Sequence, residues 1–155
     1  MIKMSQVKFW ISLVFTMFAF LLTLSSEAEA LCVKAKEANL RQQPGTNYVI
    51  LWTVSKYMPL RKIREIANWQ QVKDVDGYIY WIHKSLTTKN YWCAVVKRDL
   101  VNLRKGPGTN FPKVSWSPIY KYYSAKVLKF KGKWVHLKDS SGDTGWVHRS
   151  LVWVQ

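Results

Sequence analysis

Residues 39–47 read Asn-Leu-Arg-Gln-Gln-Pro-Gly-Thr-Asn, and residues 102–110 read Asn-Leu-Arg-Lys-Gly-Pro-Gly-Thr-Asn. Seven of the nine positions are identical at an offset of 63 residues. Two later blocks recur at an offset of 65, residues 69–74 at 134–139 and residues 81–86 at 146–151. Agreement in separated blocks indicates an internal duplication, with a net insertion of two residues that we place within 117–123.

The duplication predicts two small domains, residues 31–90 and residues 91–155. Residues 1–30 have the order of an export signal: Lys3 and Lys8, an apolar run at 9–24, and small residues before a predicted cleavage after Ala30. A retained membrane anchor is the alternative. The apolar run is, however, shorter than the roughly 20 residues that a spanning helix prefers.

Each copy is expected to be all-β, because short stretches rich in Val, Ile, Trp and Tyr alternate with turn signals. Asp76-Gly77 and Ser141-Gly142 indicate hairpin turns. Lys131-Gly132 indicates a further turn in the second copy. In the first copy, Asn68 would be the left-handed residue of the equivalent turn. Five short strands in about 60 residues should close into a small barrel that leaves few free edges. The predicted strands cover residues 60–64, 69–73 and 80–83 in the first copy, and 125–129, 134–138 and 146–148 in the second.

The composition excludes several classes of protein. The chain is 48% hydrophobic, which is enough to bury a core. Its 155 residues are too few for a large enzyme. Lys and Arg total 24 against 9 Asp and Glu, and residues 31–155 retain the whole net charge of +15. Such a charge favours polyanionic partners. The densest basic cluster comprises Lys126, Lys129, Lys131 and Lys133. This cluster is either part of a binding surface or a solvated hairpin edge.

The repeated segment, followed by a Trp strand, a Gly turn and Trp-x-His-x-Ser-Leu, resembles the bacterial SH3-like domain family of exported proteins. The similarity covers residues 33–86 and 95–153, and the core Leu-Arg-x-Gly-Pro-Gly-Thr is complete at 103–109. The first copy departs from it at Gln43 and Tyr80, where the second has Gly106 and Gly145. The resemblance implies a tandem pair of compact β-barrels that serve as binding or targeting modules, often toward cell-wall material and usually without catalysis.

Cys32 and Cys93 each stand just before the predicted first strand of a copy. An exported chain meets an oxidising compartment, so we expect one disulfide between them. In the chain-entropy model a loop of this length contributes roughly 4 kcal/mol to stability. Two free thiols, or pairing between molecules, are the alternatives.

The sequence offers no recognisable active site. His83 and His148 are repeat equivalents with an expected role in the fold, and neither a His-Glu-x-x-His motif nor paired cysteines indicate a metal site. The acidic residues near turns are interpreted as turn and salt-bridge residues rather than as a glycosidase pair, and include Asp74, Asp76, Asp139 and Asp143. We therefore expect no catalytic residue, no metal and no cofactor.

Aromatic residues exceed what two small cores can hold, and nine of them are tryptophans. Trp81 and Trp146 are assigned to the core. The remainder predict a binding groove, since aromatic side chains offer large rigid surfaces for recognition, with packing between the barrels as the alternative. Arg41 and Arg104 either fix their loops or contact the ligand. The aromatic candidates are Trp52, Tyr57, Trp69, Trp116, Tyr120, Tyr122 and Trp134.

These features predict an exported, non-enzymatic binding module of the periplasm or cell envelope, with secretion also open. Its expected partner is peptidoglycan or an envelope protein, with aromatic rings stacking on sugars or peptides and Lys and Arg meeting carboxylates. The alternatives are a salt-sensitive binder of nucleic acid or anionic lipid, an accessory subunit of a wall hydrolase, and a spacer. A hydrolase itself is disfavoured, because such enzymes carry a separate catalytic domain.

Overall fold

The computed structural model describes residues 29–155, so the predicted signal segment lies outside the described residues except for Glu29 and Ala30. The predicted all-β tandem fold is confirmed. The first barrel contains Glu29–Val33 (β1), Glu37–Arg41 (β2), Ile50–Ser55 (β3), Pro59–Ile66 (β4), Trp69–Lys73 (β5), Ile79–His83 (β6) and Thr87–Thr88 (β7). The second contains Cys93–Val96 (β8), Ser124–Lys131 (β9), Trp134–Lys138 (β10), Thr144–His148 (β11) and Val152–Val154 (β12).

Each barrel is one antiparallel sheet. The first has the strand order β3-β2-β6-β5-β4-β1-β7, and the second has the order β11-β10-β9-β8-β12. Short 3₁₀ turns, Lys84–Leu86 and Arg149–Leu151, connect β6 to β7 and β11 to β12. All six predicted strands are present, and the bounds predicted for β5 and β10 agree with the structure.

The two barrels differ where the first has the hairpin β2–β3. In the second barrel the corresponding segment forms only isolated bridges, which join Val101 to Ile119 and Arg104 to both Lys113 and Trp146. Pro112 and Pro118 lie in this segment and have no amide hydrogen to donate to a ladder. The second barrel therefore has the five strands predicted, and the first has seven.

Each sheet wraps around its own hydrophobic cluster. Leu40, Leu60 and Ile82 are fully buried in the first cluster, and Leu103 and Val147 in the second. Residues alternate between the two faces of a strand, so the neighbours of Ile82 and Val147 point away from these clusters.

Trp81 and Trp146 are those neighbours, and both are buried, as predicted. They are covered on the outer face of the sheet instead of entering the clusters. The Arg64 guanidinium lies 5.2 Å from the ring centroid of Trp81, and the Lys129 ammonium lies 5.6 Å from that of Trp146. Long cationic side chains therefore shield these two indoles from water.

A disulfide joins the two barrels, since Cys32 in β1 is bonded to Cys93 in β8. This confirms the predicted pairing and corrects the predicted position, because both cysteines lie within strands and not before them. Both are buried. Val95 of β8 belongs to the cluster of the first barrel, and Trp153 packs against the same cluster. The barrels thus share apolar surface beside the disulfide.

The turns also carry one correction. Gly77 and Gly142 have positive φ in the predicted hairpin turns. Between β4 and β5, however, the left-handed residue is Ala67, with φ of 49°, and not Asn68. Gly132, with φ of 56°, occupies the equivalent place between β9 and β10. An alanine in the first barrel therefore adopts a backbone conformation that favours glycine.

No helix within residues 29–155 has the length and apolar character needed to cross a membrane.

Candidate binding pockets

Each barrel has a surface pocket in the same place. The first pocket has a volume of about 370 Å³, and its lining includes Asn39, Arg41, Thr46, Trp69, His83 and Leu86. The second has a volume of about 190 Å³, and its lining includes Asn102, Arg104, Thr109, Trp134, His148 and Leu151. These six pairs are repeat equivalents. The duplication has therefore preserved a pocket as well as a fold.

A tryptophan and a histidine form one wall of each pocket. Trp69 opens β5 and lies opposite His83, the last residue of β6, in the strand register. Their ring centroids are 5.3 Å apart and the rings are almost perpendicular. Trp134 and His148 repeat the arrangement at 5.6 Å.

Both histidines also cap the 3₁₀ turn that follows them. The Ser85 amide donates to Nδ1 of His83, and the Ser150 amide donates to Nδ1 of His148. An imidazole that accepts at Nδ1 carries its hydrogen on Nε2 when neutral. Each histidine therefore supports the fold through one nitrogen, as the sequence predicted, while the other is an N–H donor.

The two arginines fix the loop beside each pocket. Arg41 Nη1 donates to the Tyr48 carbonyl at 2.6 Å, and Arg104 Nη1 donates to the Phe111 carbonyl at 2.7 Å. This is the loop-fixing role considered from the sequence. A guanidinium carries five N–H donors, so a bond through one of them is compatible with ligand contact through the others.

The pockets differ in charge at their rims. Glu37 lines the first pocket, and its repeat equivalent in the second is Leu100, beside Arg98. The first pocket thus combines a carboxylate with Arg41. The second has two guanidiniums and an apolar residue in the corresponding region.

The match to known families decides what these barrels are. The Bacterial SH3 domain family matches the chain twice, at residues 34–89 and at residues 97–154. The chain belongs to the bacterial SH3 domain family. Its two SH3 domains correspond to the two barrels, and the family recognised from the sequence is confirmed. The exact domain boundaries, 31–90 and 91–155, remain predictions.

Two solved structures are similar to this SH3 pair. NlpC1 from Trichomonas vaginalis is 12% identical with a TM-score of 0.35, and the match covers 85% of this chain and 49% of NlpC1. This chain therefore spans about half the length of NlpC1. The structure named Endolysin LysPBC5 CBD is 14% identical with a TM-score of 0.31, and the match covers 86% of this chain and 98% of that one. No curated protein matches the chain.

The two pockets contain only part of the set of candidate aromatic residues. Only Trp69 and Trp134 line the pockets, together with the candidates Arg41 and Arg104. Trp52 lies against Tyr122, with ring centroids 4.9 Å apart, and so contributes to contacts between the two SH3 domains. Tyr57 lies 5.6 Å from Tyr91 of the chain segment that joins the domains.

Tyr122 is the centre of the polar contacts between the domains. Its hydroxyl donates to Asp76 Oδ2 at 2.6 Å, and Lys121 forms an ion pair with Oδ1 of the same carboxylate at 2.9 Å. The Tyr122 and Lys121 hydrogen bonds lower the pKa of Asp76, and the Asp76 hydrogen bond raises the pKa of Tyr122. Trp52 and Tyr122 therefore pack between the two barrels, which is the alternative to a groove that the sequence leaves open.

The last two aromatic candidates lie on the second SH3 domain. Trp116 packs against its hydrophobic cluster and stacks on Tyr123 at 5.9 Å. Tyr120 is exposed, outside both pockets. Neither Trp116 nor Tyr120 lines the second pocket, which contains Arg104 and Trp134.

Sequence reasoning missed part of each pocket. Asn39 and Thr46 stood in the repeated nine-residue segment and were not singled out as ligand contacts. His83 was assigned only a role in the fold. The available signal was repeat identity of polar residues, because Asn, Arg, Thr, Trp and His all recur whereas most surface residues do not.

Asp74 and Asp139 have the turn role predicted for them. Asp74 Oδ1 accepts from the amides of Asp76 and Tyr78, and Asp139 Oδ1 accepts from the amides of Ser141 and Asp143. No cluster of three or more His, Cys, Asp or Glu suited to a metal occurs within residues 29–155.

Proposed function

We propose that this protein is an exported binding module, without catalytic activity, that holds peptidoglycan through one pocket on each SH3 domain. The observation that carries the proposal is the recurrence of the same six lining residues in both pockets. A duplicated fold needs its core residues in both copies. Polar residues that surround an open pocket in both copies indicate a common ligand.

The chemistry of the pockets suits a sugar–peptide polymer. The indole of Trp69 or Trp134 offers a flat apolar face with a polar N–H. Arg41 or Arg104 offers a guanidinium, which pairs with carboxylates. Asparagine, threonine and the histidine Nε2–H add uncharged hydrogen-bonding groups. The net charge of +15 favours a polymer that carries carboxylates.

Co-sedimentation of the purified protein with isolated sacculi tests the proposal. Trp69→Ala combined with Trp134→Ala should reduce the affinity at least about tenfold, because aromatic anchors carry much of the energy at recognition sites. The single variants should each lose part of it. Circular dichroism and thermal melting establish that the variants are folded.

A second pair of variants avoids the half-buried tryptophans. Thr46 and Thr109 are exposed, so Thr46→Glu with Thr109→Glu should preserve the fold while placing a negative charge at each pocket. This pair should also reduce binding to sacculi. Trp92→Ser is the matched control, because Trp92 is an exposed tryptophan outside both pockets. Sedimentation of both pocket variants at the level of the parent would refute the proposal.

Export is part of the proposal and is supported by the disulfide, since disulfides persist in oxidising compartments such as the periplasm and the cell exterior. Cleavage after Ala30 would remove the first two residues of β1 and leave Leu31, Cys32 and Val33 in the strand. The covalent link between the domains would therefore be retained.

A second candidate function is binding to a soluble polyanion. An envelope protein or a partner hydrolase would be an alternative occupant of the two pockets. The exposed lysines at the β9–β10 turn, Lys131 and Lys133, favour the polyanion. A polyanion binder should show a steep loss of affinity with salt that is uniform across nucleic-acid sequences. Sacculi binding through the pockets should be less sensitive to salt.

A further inference from the structure

At one end of each SH3 domain, the two copies differ in the chemistry of their side chains. In the first domain, Glu65 accepts from Lys62 and forms a second ion pair with Lys84. Glu29 adds ion pairs with Lys62 and Lys89. This end is therefore a network of two carboxylates and three ammonium groups.

In the second domain the equivalent positions carry aromatic rings. Phe130 occupies the position of Glu65, and Trp92 occupies the position of Glu29. Their ring centroids are 6.0 Å apart, and the Arg149 guanidinium, equivalent to the Lys84 ammonium, lies 5.5 Å from the Phe130 ring. The carboxylates are lost, and the cation is retained.

These aromatic rings are open to solvent. Trp92 is 59% exposed and Phe130 is 42% exposed. Lys131 and Lys133 follow at the β9–β10 turn and are exposed as well. Within residues 29–155, neither lysine forms an ion pair, and neither does Arg149. We call Trp92, Phe130, Lys131, Lys133 and Arg149 the Trp92 patch.

We propose that the Trp92 patch docks the second SH3 domain on the surface of an anionic lipid bilayer. Trp92 and Phe130 would enter the boundary between headgroups and acyl chains, where aromatic rings are favoured. Lys131, Lys133 and Arg149 would meet the lipid phosphates. None of these five residues lines either pocket, so the proposal does not depend on the function proposed for the pockets.

The combination of groups favours a bilayer over a dissolved polyanion. A hydrated polyanion binds cations through its charge. It offers no apolar layer in which an exposed indole and phenyl ring could be buried. A lipid surface provides for both the cations and the rings. The first domain provides the internal comparison, because there the position of Phe130 is occupied by Glu65, whose carboxylate is paired with Lys62 and Lys84.

Vesicle co-sedimentation of the exported, processed protein tests the proposal, with its first residue established by N-terminal sequencing. The probes are vesicles of phosphatidylglycerol with phosphatidylcholine, and vesicles of phosphatidylcholine alone. The parent should bind the anionic vesicles preferentially. Trp92→Ser leaves the charge unchanged and should weaken that binding about tenfold through lost apolar burial. Lys131→Gln with Lys133→Gln should weaken it by a similar or larger factor.

Tyr78→Ser is the matched control, because Tyr78 is an exposed aromatic residue of the first domain. It should bind vesicles like the parent. Trp92→Ser should still sediment with sacculi, so failure of this proposal is distinguishable from failure of the pocket proposal. Equal vesicle binding by Trp92→Ser and the parent would overturn it. So would lipid-independent dimerisation that Trp92→Ser abolishes, because the patch would then join two copies of the chain.

Discussion

The duplicated domains allow single residues to be compared in equivalent settings. The turn aspartates show this well. Asp139 accepts a hydrogen bond from Tyr123. The tyrosine whose pKa Asp74 raises is Tyr80, which stands at a different repeat position. Burial and the aspartate raise the pKa of Tyr80 to about 12, and the same two causes raise that of Tyr123. The departure at Tyr80 in the sequence therefore places a tyrosine where the turn aspartate of the first domain affects its pKa.

A glycine exchange in the β4–β5 and β9–β10 turns should change stability in opposite directions. Ala67→Gly should raise the free energy of unfolding by about 1 kcal/mol, because a left-handed backbone costs roughly that much with a Cβ. Gly132→Ala should lower it by about the same amount. A Cβ at Gly132 would meet nothing within 4 Å, so backbone strain alone is measured. Urea denaturation of both variants and the parent provides the measurement.

The contradictory outcome would be equal stability of all three proteins. The turn would then relax into another conformation, and the sign of φ at Ala67 would carry no cost. Asn68→Gly is a suitable control, because Asn68 is adjacent to Ala67 and does not have positive φ.

At the scale of elements, the sequence was most informative about strands that lie between glycine turns. The segments β5 and β10 were predicted with their bounds, since Gly and Asp mark the following turns and Val and Leu alternate with polar residues. The hairpin β2–β3 was not separable from a loop. The same repeated segment pairs with a strand in the first domain and with isolated bridges in the second, and the prolines that decide this lie outside it.

The loop at residues 102–110 should not tolerate the first domain's residue. A Cβ at Gly106 would lie 2.3 Å from Cδ1 of Phe111. Gly106→Gln should therefore displace the Phe111 ring and lower the free energy of unfolding by about 1 kcal/mol, because overpacking forces neighbouring groups to shift. The Phe111 carbonyl also holds Arg104, so ligand affinity at the second pocket should fall.

Gln43→Gly, the reverse exchange in the first domain, is the control and should leave the second pocket unchanged. Chemical denaturation and titration with soluble peptidoglycan fragments measure the two effects. Unchanged stability and affinity in Gly106→Gln would show that the Phe111 ring does not define this loop.

For the whole molecule, the two barrels and their disulfide were predictable from the sequence, but the contacts between the barrels were not. Trp52 and Tyr122 are 70 residues apart in the sequence, and an aromatic side chain on a loop is equally compatible with a ligand and with a neighbouring domain. The same limit applies to the pockets. Their residues come from separate strands, loops and 3₁₀ turns, and only repeat identity connects them in the sequence.

Acid should weaken the contact between the domains. The folded-state pKa of Asp76 lies below its ordinary value of 3.8, chiefly because Tyr122 donates to it. The contact therefore contributes fully above that value and is lost as the pH falls through the folded-state pKa. Between pH 6 and pH 3, the parent should lose up to about 1 kcal/mol more stability than Asp76→Asn.

Asp143→Asn is the matched control, because it removes a turn carboxylate that forms no ion pair within residues 29–155. Its pH dependence should follow the parent. Parallel stability curves for Asp76→Asn and the parent, measured by urea denaturation across this range, would show that the Asp76 carboxylate does not contribute.

The disulfide and the Asp76 contacts together restrict the motion of the two SH3 domains relative to each other. On such a unit, the two pockets would meet the proposed polymer at one fixed spacing. With the first pocket occupied, the second would meet its next ligand at a high effective concentration, provided the polymer repeats at that spacing. Avidity would then select a particular repeat length, so that two individually weak pockets discriminate between polymers that share the same chemical units.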